Sequence, residues 1–195
     1  MLIRKRYLYI LCPAILCIAG ACEKEASKMD YGITSIYMPQ SIQSGNPASI
    51  VYNVPSGLDS ATYNYVIDTP NNKVNIVLGV LRSGKAAGDA YSVAILTNPD
   101  TINAAIADGS LVGNPDPGAP IVLLPSSAYS LPATVAVPSG SNQATFWLSV
   151  DKDQLKALSG KKAALAVYLT KPSRYQLSSV NSQTIVLIDV DALHL

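Results

Sequence analysis

Carboxylates are the residues of this chain whose spacing could support acid–base chemistry. Two pairs stand out, Asp151 with Asp153 and Asp189 with Asp191, while no glutamate follows Glu25. Hydrolysis of a glycosidic bond needs two carboxyl groups roughly 5 to 10 Å apart. The first pair lies where a helix is predicted to begin, and carboxylates there cap the helix and favour its dipole. The second pair lies at the chain end, where charges are usually solvated, so we expect neither pair to be catalytic.

Nucleophilic and metal chemistry have few candidate residues. The only histidine, His194, is the penultimate residue, where chains fray, so no Ser-His-Asp or Cys-His arrangement is expected. A zinc site lacks ligands. Asn114, Asp116 and the terminal aspartates could supply oxygen to calcium, but their spacing matches no known calcium loop. We therefore predict no catalytic residue, no metal site and no cofactor.

Two aromatic residues give a sharper indication of function. If Phe146 points into the core, strand alternation turns the sole tryptophan, Trp147, outward among hydroxyl-bearing residues. Such a ring is a stacking platform for sugars, and Tyr168, on the polar side of its own predicted strand, would extend that platform. In the alternative interpretation a loop or helix covers Trp147, and Tyr168 hydrogen-bonds a neighbouring turn as corner tyrosines do.

Short β-rich segments separated by Pro, Gly, Asn and Ser clusters must position these side chains. This rhythm predicts an all-β fold, an immunoglobulin-like antiparallel β-sandwich with one or two short connecting helices. The segment Val74–Leu81 is apolar on both faces, which favours a place in the middle of a core. The predicted strands are Ile33–Met38, Ala61–Ile67, Lys73–Arg82, Ala90–Leu96, Ala119–Leu124, Ala133–Val137, Gln143–Val150, Ala163–Thr170 and Gln183–Asp189.

Two short helices are predicted between the strands. The first begins after Asn98, with Pro99 at its first position, and ends at Gly109. The second begins after Asp151, which has a glutamine three residues later as in a capping box, and ends at Gly160. Their core-facing residues are predicted to be Ile102, Ala105, Ile106, Leu155 and Leu158.

The amino terminus is typical of an export signal. Basic residues at 4–6 precede an apolar run of about 15 residues, which is shorter than the roughly 20 of a membrane-spanning helix. Small residues at 19–21 then lead to Cys22, which predicts a bacterial lipoprotein whose cysteine carries lipid and holds the protein at the outer membrane. Ordinary secretion and a retained membrane helix are the alternatives. The predicted division is a signal peptide at 1–21, a lipidated polar spacer at 22–31 and one sandwich domain at 32–195.

Charge argues against one class of partner. Loss of Arg4, Lys5 and Arg6 with the signal peptide changes the formal net charge from +1 to −2. Only the short pair Lys161-Lys162 remains as a basic cluster in the predicted domain, so nucleic acid is not an expected partner.

Several segments of the chain resemble DUF1735, a domain family of unknown function from Bacteroidetes surface lipoproteins. The resemblance covers nearly the whole predicted mature chain and implies an immunoglobulin-type sandwich at the amino end of a longer lipoprotein, ahead of a glycan-binding or glycoside-hydrolase-like domain. This chain departs from that plan by ending at Leu195. It also has Ile102-Asn103 where a Tyr-Asn pair is expected and Ala163 where a tyrosine is expected. The matching segments are Ile36–Pro39, Val77–Gly84, Leu123–Pro125, Tyr129–Leu131, Val135–Gly140, Leu165–Thr170 and Thr184–Val190.

The resemblance and the aromatic pattern together favour a non-catalytic lipoprotein. We expect an accessory glycan-binding component of a polysaccharide-acquisition system, displayed at the cell surface and held in the membrane by lipid on Cys22. The rival interpretation is a structural, spacer or adhesion subunit that pairs with surface proteins through an exposed edge strand. An enzyme ranks third because the acid–base residues are missing.

Overall fold

The computed structural model describes residues 34–42, 50–57, 62–84, 88–109, 111 and 118–195. The predicted signal peptide, Cys22 and the spacer lie outside the described residues, as do Asn114 and Asp116. No helix within the described ranges is long and apolar enough to cross a membrane.

Two β-sheets pack face to face, which confirms the predicted all-β sandwich. The twelve strands of the described residues are β1 (Ser35–Tyr37), β2 (Val51–Val54), β3 (Tyr65–Asp68), β4 (Lys73–Arg82), β5 (Tyr91–Thr97), β6 (Ile121–Leu123), β7 (Tyr129–Ser130), β8 (Thr134–Val137), β9 (Gln143–Asp151), β10 (Lys162–Thr170), β11 (Gln176–Leu177) and β12 (Gln183–Asp189).

The order of strands differs between the two sheets. The first sheet runs β11-β1-β4-β9-β7, with β3 also pairing with β4. The second sheet runs β2-β12-β10-β5-β8, with β6 also pairing with β10. Most pairs are antiparallel as predicted, but β1–β11, β6–β10 and β2–β12 are parallel. Two strands joined by a tight hairpin must be antiparallel, but none of these three pairs is joined in that way. The chain enters β2 and β11 from the opposite sheet, and it enters β6 after a helix.

Alternation along β4 and β9 places the main core between the sheets. Val74, Ile76, Leu78 and Val80 of β4 are fully buried, and the residues between them are mostly half-buried. Each such side chain contributes roughly 1.5–3 kcal/mol when it leaves water. The central position predicted for this strand is confirmed within its sheet, although Val77 faces outward and is only half-buried.

Helix α1 (Pro99–Ala107) covers part of the outer face of the second sheet. Its Ile102 is fully buried in a second apolar cluster with Ala164 and Leu187. The helix begins as predicted, because Oδ1 of Asn98 accepts the N–H of Asp100 at 3.0 Å. The predicted apolar stripe is wrong in part, since Ile106 is exposed and only Ile102 is buried.

Helix α2 (Lys152–Lys156) carries the chain from β9 in the first sheet to β10 in the second. Oδ1 of Asp151 accepts the N–H groups of Asp153 at 3.1 Å and Gln154 at 3.2 Å, which confirms the predicted cap. Leu155 is fully buried, and the chain turns away at Gly160, whose φ of +79° suits glycine.

Strands β2, β7 and β11 are absent from the sequence-based prediction. They contain only four, two and two residues, so alternation had little length in which to appear. By contrast, the bounds predicted for β4 and β12 agree with the structure. The segment predicted at 61–67 forms a strand only from Tyr65 to Asp68.

Candidate functional site

Trp147 lies on the outer face of the first sheet. Its neighbours Phe146 and Leu148 are buried in the core, at 5% and 0% exposure, so alternation turns the indole outward with 45% of its surface exposed. The strand thus positions the ring as the sequence predicts. The ring is held by a nine-residue strand whose inward side chains are fixed by packing.

The register between β4 and β9 defines what surrounds the indole. Val77 is directly opposite Trp147, Asn75 is opposite Ser149, and Gly79 is opposite Thr145. The N–H of Arg82 donates to the carbonyl of Asn142 at 2.7 Å, so the hydrogen-bonded pairs of this ladder fall on the even residues of β9. Val77 and Trp147 are therefore a non-bonded pair, the type in which facing side chains approach most closely.

Pro39 covers the sheet at Gly79, a diagonal neighbour of Trp147. A Cβ on this glycine would come 3.2 Å from Cγ of Pro39, which lies against it. Oε1 of the buried Gln40 accepts the N–H of Gly79 at 3.2 Å and so fixes the turn that carries this proline. The surface at this end of the site is consequently formed by the proline ring, which covers the buried Gly79.

Charged groups mark the other end of the same face. Nζ of Lys73 lies 3.2 Å from Oδ2 of Asp151. The pKa of Asp151 lies below its usual value. The hydrogen bond from the N–H of Gln154 contributes most to this shift, and the hydrogen bond from the Lys73 ammonium comes second. Asp68 of β3 is directly opposite Lys73 in the register, so a second carboxylate belongs to this end of the face.

Tyr168 lies on the other side of the sandwich. It belongs to β10, where its neighbours Val167 and Leu169 are buried in the core, so its side chain faces out from the second sheet. Leu96 and Gln183 are its cross-strand partners. The prediction that Tyr168 extends the Trp147 platform is therefore wrong, because the core separates the two outer faces.

The aspartate pairs have structural contacts. Asp151 caps α2, while Asp153 accepts a hydrogen bond from the side chain of Asn72 at 2.9 Å. Asp191 accepts the hydroxyl of Ser159 at 2.7 Å and the N–H of Gly160 at 3.0 Å, which together lower its pKa. Asp191 is exposed, as predicted for a charge at the chain end, and it also ties that end to the turn after α2, while Oδ1 of the partly exposed Asp189 accepts the N–H of Ala192 at 3.2 Å.

Asp189 is paired with a buried lysine. Oδ2 of Asp189 lies 3.7 Å from Nζ of Lys162, whose side chain is only 2% exposed. Both line a small cavity of about 100 Å³ with Asn53 and Ala192. Within the described residues no group of three His, Cys, Asp or Glu side chains could hold a metal ion. These contacts explain the second aspartate pair without an acid–base role.

An apolar groove of about 330 Å³ lies between the end of α1 and β6 and includes Ile106 and Ile121. Neither this groove nor the cavity at Lys162 includes Trp147, whose indole is 45% exposed on the outer face of the first sheet. Asn75, Val77 and Val66 also belong to that outer face, and the sequence pattern does not identify them as neighbours of Trp147. Alternation predicts the face of the strand on which each side chain lies, but it does not predict which strand is its neighbour.

Comparisons with known proteins find likeness in fold. No family model and no curated protein matches the sequence. A Bacteroides ovatus protein of unknown function is 16% identical, with a TM-score of 0.52 over 79% of this chain and 46% of that chain. A multidomain B. ovatus protein including DUF1735 is 16% identical, with a TM-score of 0.49 over 78% and 44%. An auxiliary nutrient binding protein from Bacteroides thetaiotaomicron is 15% identical, with a TM-score of 0.46 over 74% and 46%. The chain spans less than half the length of each of these proteins, and at such identities the likeness is one of fold.

Proposed function

We propose that this protein binds polysaccharide without catalysis, through the outer face of β4 and β9. The observation that carries the proposal is the exposed indole of Trp147, held on a rigid strand among neutral polar side chains. The flat ring of tryptophan can bury the apolar face of a sugar.

The setting of the indole supports sugar more than an apolar ligand. Thr145, Ser149 and Asn75 surround it and offer hydroxyl and amide groups to ligand hydroxyls. Apolar stacking supplies affinity in such a site, and the few convergent polar groups fix the orientation of the ligand.

We also propose the cellular setting predicted from the sequence. The protein is exported by residues 1–21, lipidated at Cys22 and held at the outer membrane, where a spacer at 22–31 carries the sandwich domain. Its segments of DUF1735 type support assignment to an accessory component of a polysaccharide-acquisition system, with the chemistry of degradation left to other proteins.

A glycan array tests the proposed function with the purified protein and two variants. Trp147→Ala removes the indole from the first sheet, and Tyr168→Ala is its matched control on the second sheet. We expect binding by the parent and by Tyr168→Ala, and no binding by Trp147→Ala, with circular dichroism unchanged in all three. Loss of binding in Tyr168→Ala alone would move the site to the second sheet, and no binding to any glycan would overturn the proposal.

A second candidate function is assembly through the edge of β9. Strand β7 pairs with β9 only at Ser149 and Val150, so residues 143–148 have no neighbouring strand on that side within the described residues. The hydroxyl of Ser141 blocks one end of this edge, because it donates to the carbonyl of Gln143 at 2.8 Å and accepts its N–H at 3.2 Å. Concentration-dependent dimers in analytical ultracentrifugation would favour assembly over sugar binding.

A further inference from the structure

We propose that Asn75 reads the ligand at the Trp147 site and that this ligand is an uncharged polysaccharide chain bound along its length. The inference rests on the proposed function, and it adds a specificity-determining residue and a ligand class.

Asn75 is placed to contact a sugar next to one stacked on the indole. It lies opposite Ser149 and two residues from Val77, which is itself opposite Trp147. Diagonal neighbours of this kind are roughly 7–8 Å apart, a separation that long side chains and ligands can bridge. The indole and the amide thus lie on one face of two adjacent strands.

The amide of Asn75 is available for a ligand. Among the described residues its side chain forms no hydrogen bond, although its residue is half-buried. The nearby Asn71 and Asn72 differ, because their amides donate to Asp68 at 2.8 Å and to Asp153 at 2.9 Å. An amide carries two donor hydrogens and one acceptor oxygen, so it can bond two neighbouring hydroxyl groups of a sugar.

Charge on this face disfavours an acidic polysaccharide. The outward side chains of β4 and β9 carry one ammonium and one carboxylate, those of Lys73 and Asp151, and the two are paired at 3.2 Å. Asp68 adds a second carboxylate opposite Lys73. An anionic chain would find no positive potential here, whereas a neutral chain meets hydroxyl and amide groups without an electrostatic cost.

The open shape of the surface favours the interior of a chain over its end. Trp147 lines neither the groove at α1 nor the cavity at Lys162, and 45% of its surface is exposed on the outer face of the sheet. At the Gly79 end the face is bounded by the ring of Pro39, which covers the buried glycine. Stacking and hydrogen bonding can therefore act on consecutive sugars of an extended ligand.

Affinity electrophoresis tests this inference, with the purified protein run in gels that contain neutral polysaccharides (galactomannan, xyloglucan, glucan) or acidic ones (polygalacturonate, chondroitin sulfate). We expect retardation by a neutral polymer only, unchanged in 0.5 M NaCl, because ionic attraction would be screened. Asn75→Ala is expected to weaken binding about tenfold, the factor that one lost hydrogen bond of about 1.4 kcal/mol gives. The matched control is Asn103→Ala, because Asn103 is an exposed asparagine of α1, the helix that covers the second sheet. This variant should bind as the parent does.

Each contrary result has a separate meaning. Binding to acidic polymers alone, or loss of retardation in salt, would overturn the inference that the ligand is uncharged. The proposed function would still stand if this binding required Trp147. Unchanged affinity in Asn75→Ala, with Trp147→Ala inactive, would remove Asn75 from the site. No retardation by any polysaccharide would overturn the proposed function and the inference together.

Discussion

Phe146 and Trp147 are neighbours on β9 that face opposite sides of the first sheet, with 5% and 45% of their surfaces exposed. One ring belongs to the core and the other to the surface. This relationship makes the two positions a matched pair for separating folding from binding.

Truncation at these two positions is expected to have different effects on stability. Phe146→Ala should lower the free energy of unfolding by about 3–5 kcal/mol, because it leaves a cavity between the sheets. Trp147→Ala should change it by less than about 1 kcal/mol, since the ring is partly in water. Urea denaturation of both variants measures the difference. Equal losses would mean that Trp147 is a packing residue, as in the alternative in which a loop or helix covers its ring.

The contribution of the Lys162–Asp189 ion pair to the free energy of unfolding is expected to require both side chains. Asp189→Asn should cost about 1–3 kcal/mol, less than for a fully buried pair because Asp189 is partly exposed. In a Lys162→Met background the same change should cost much less, because no buried ammonium then needs a carboxylate. A double-mutant cycle by denaturation gives this coupling energy, and simple additivity would show that the pair is not coupled.

Acid is expected to destabilise the fold through two aspartates that accept hydrogen bonds, Asp151 at the start of α2 and Asp191 at the turn after it. Backbone and side-chain donors hold the pKa values of Asp151 and Asp191 below their usual value of about 3.8. Because the folded pKa values are depressed, both groups stabilise the fold above the unfolded pKa, and this contribution is lost as the pH falls through the folded pKa values. Thermal unfolding between pH 6 and pH 2 should show a steeper acid decline in the parent than in Asp151→Asn/Asp191→Asn. Identical pH profiles would contradict the assignment.

Lipidation of Cys22 is tested by replacing that sulfur. We expect Cys22→Ser to lose incorporation of labelled palmitate and to leave the membrane fraction, because its sulfur is the proposed attachment point. Cys12→Ser changes a cysteine that the proposed signal peptide carries away, so it should remain lipidated and membrane-bound. Continued labelling of Cys22→Ser would overturn the anchor, and export of an unlabelled parent would favour ordinary secretion.

Local sequence determined much of the sandwich. Alternation in Lys73–Arg82 gave a strand with the observed bounds because four fully buried residues recur at every second position. Asn98 and Asp151 indicated both helix starts, since a capping side chain acts on N–H groups only two or three residues away. The outward direction of Trp147 follows from the same local rule.

Contacts between distant segments required the tertiary structure. Alternation gives the face of a strand but not its sheet, so Trp147 and Tyr168 could be joined in one predicted platform although β9 and β10 belong to opposite sheets. Asn75 enters the proposed site only through the register, which places it opposite Ser149 of β9. The sequence alone determined which side chains leave the core, because that depends on neighbours along the chain. Only the tertiary structure decided which of them meet, because strand order and register depend on packing between residues far apart in sequence.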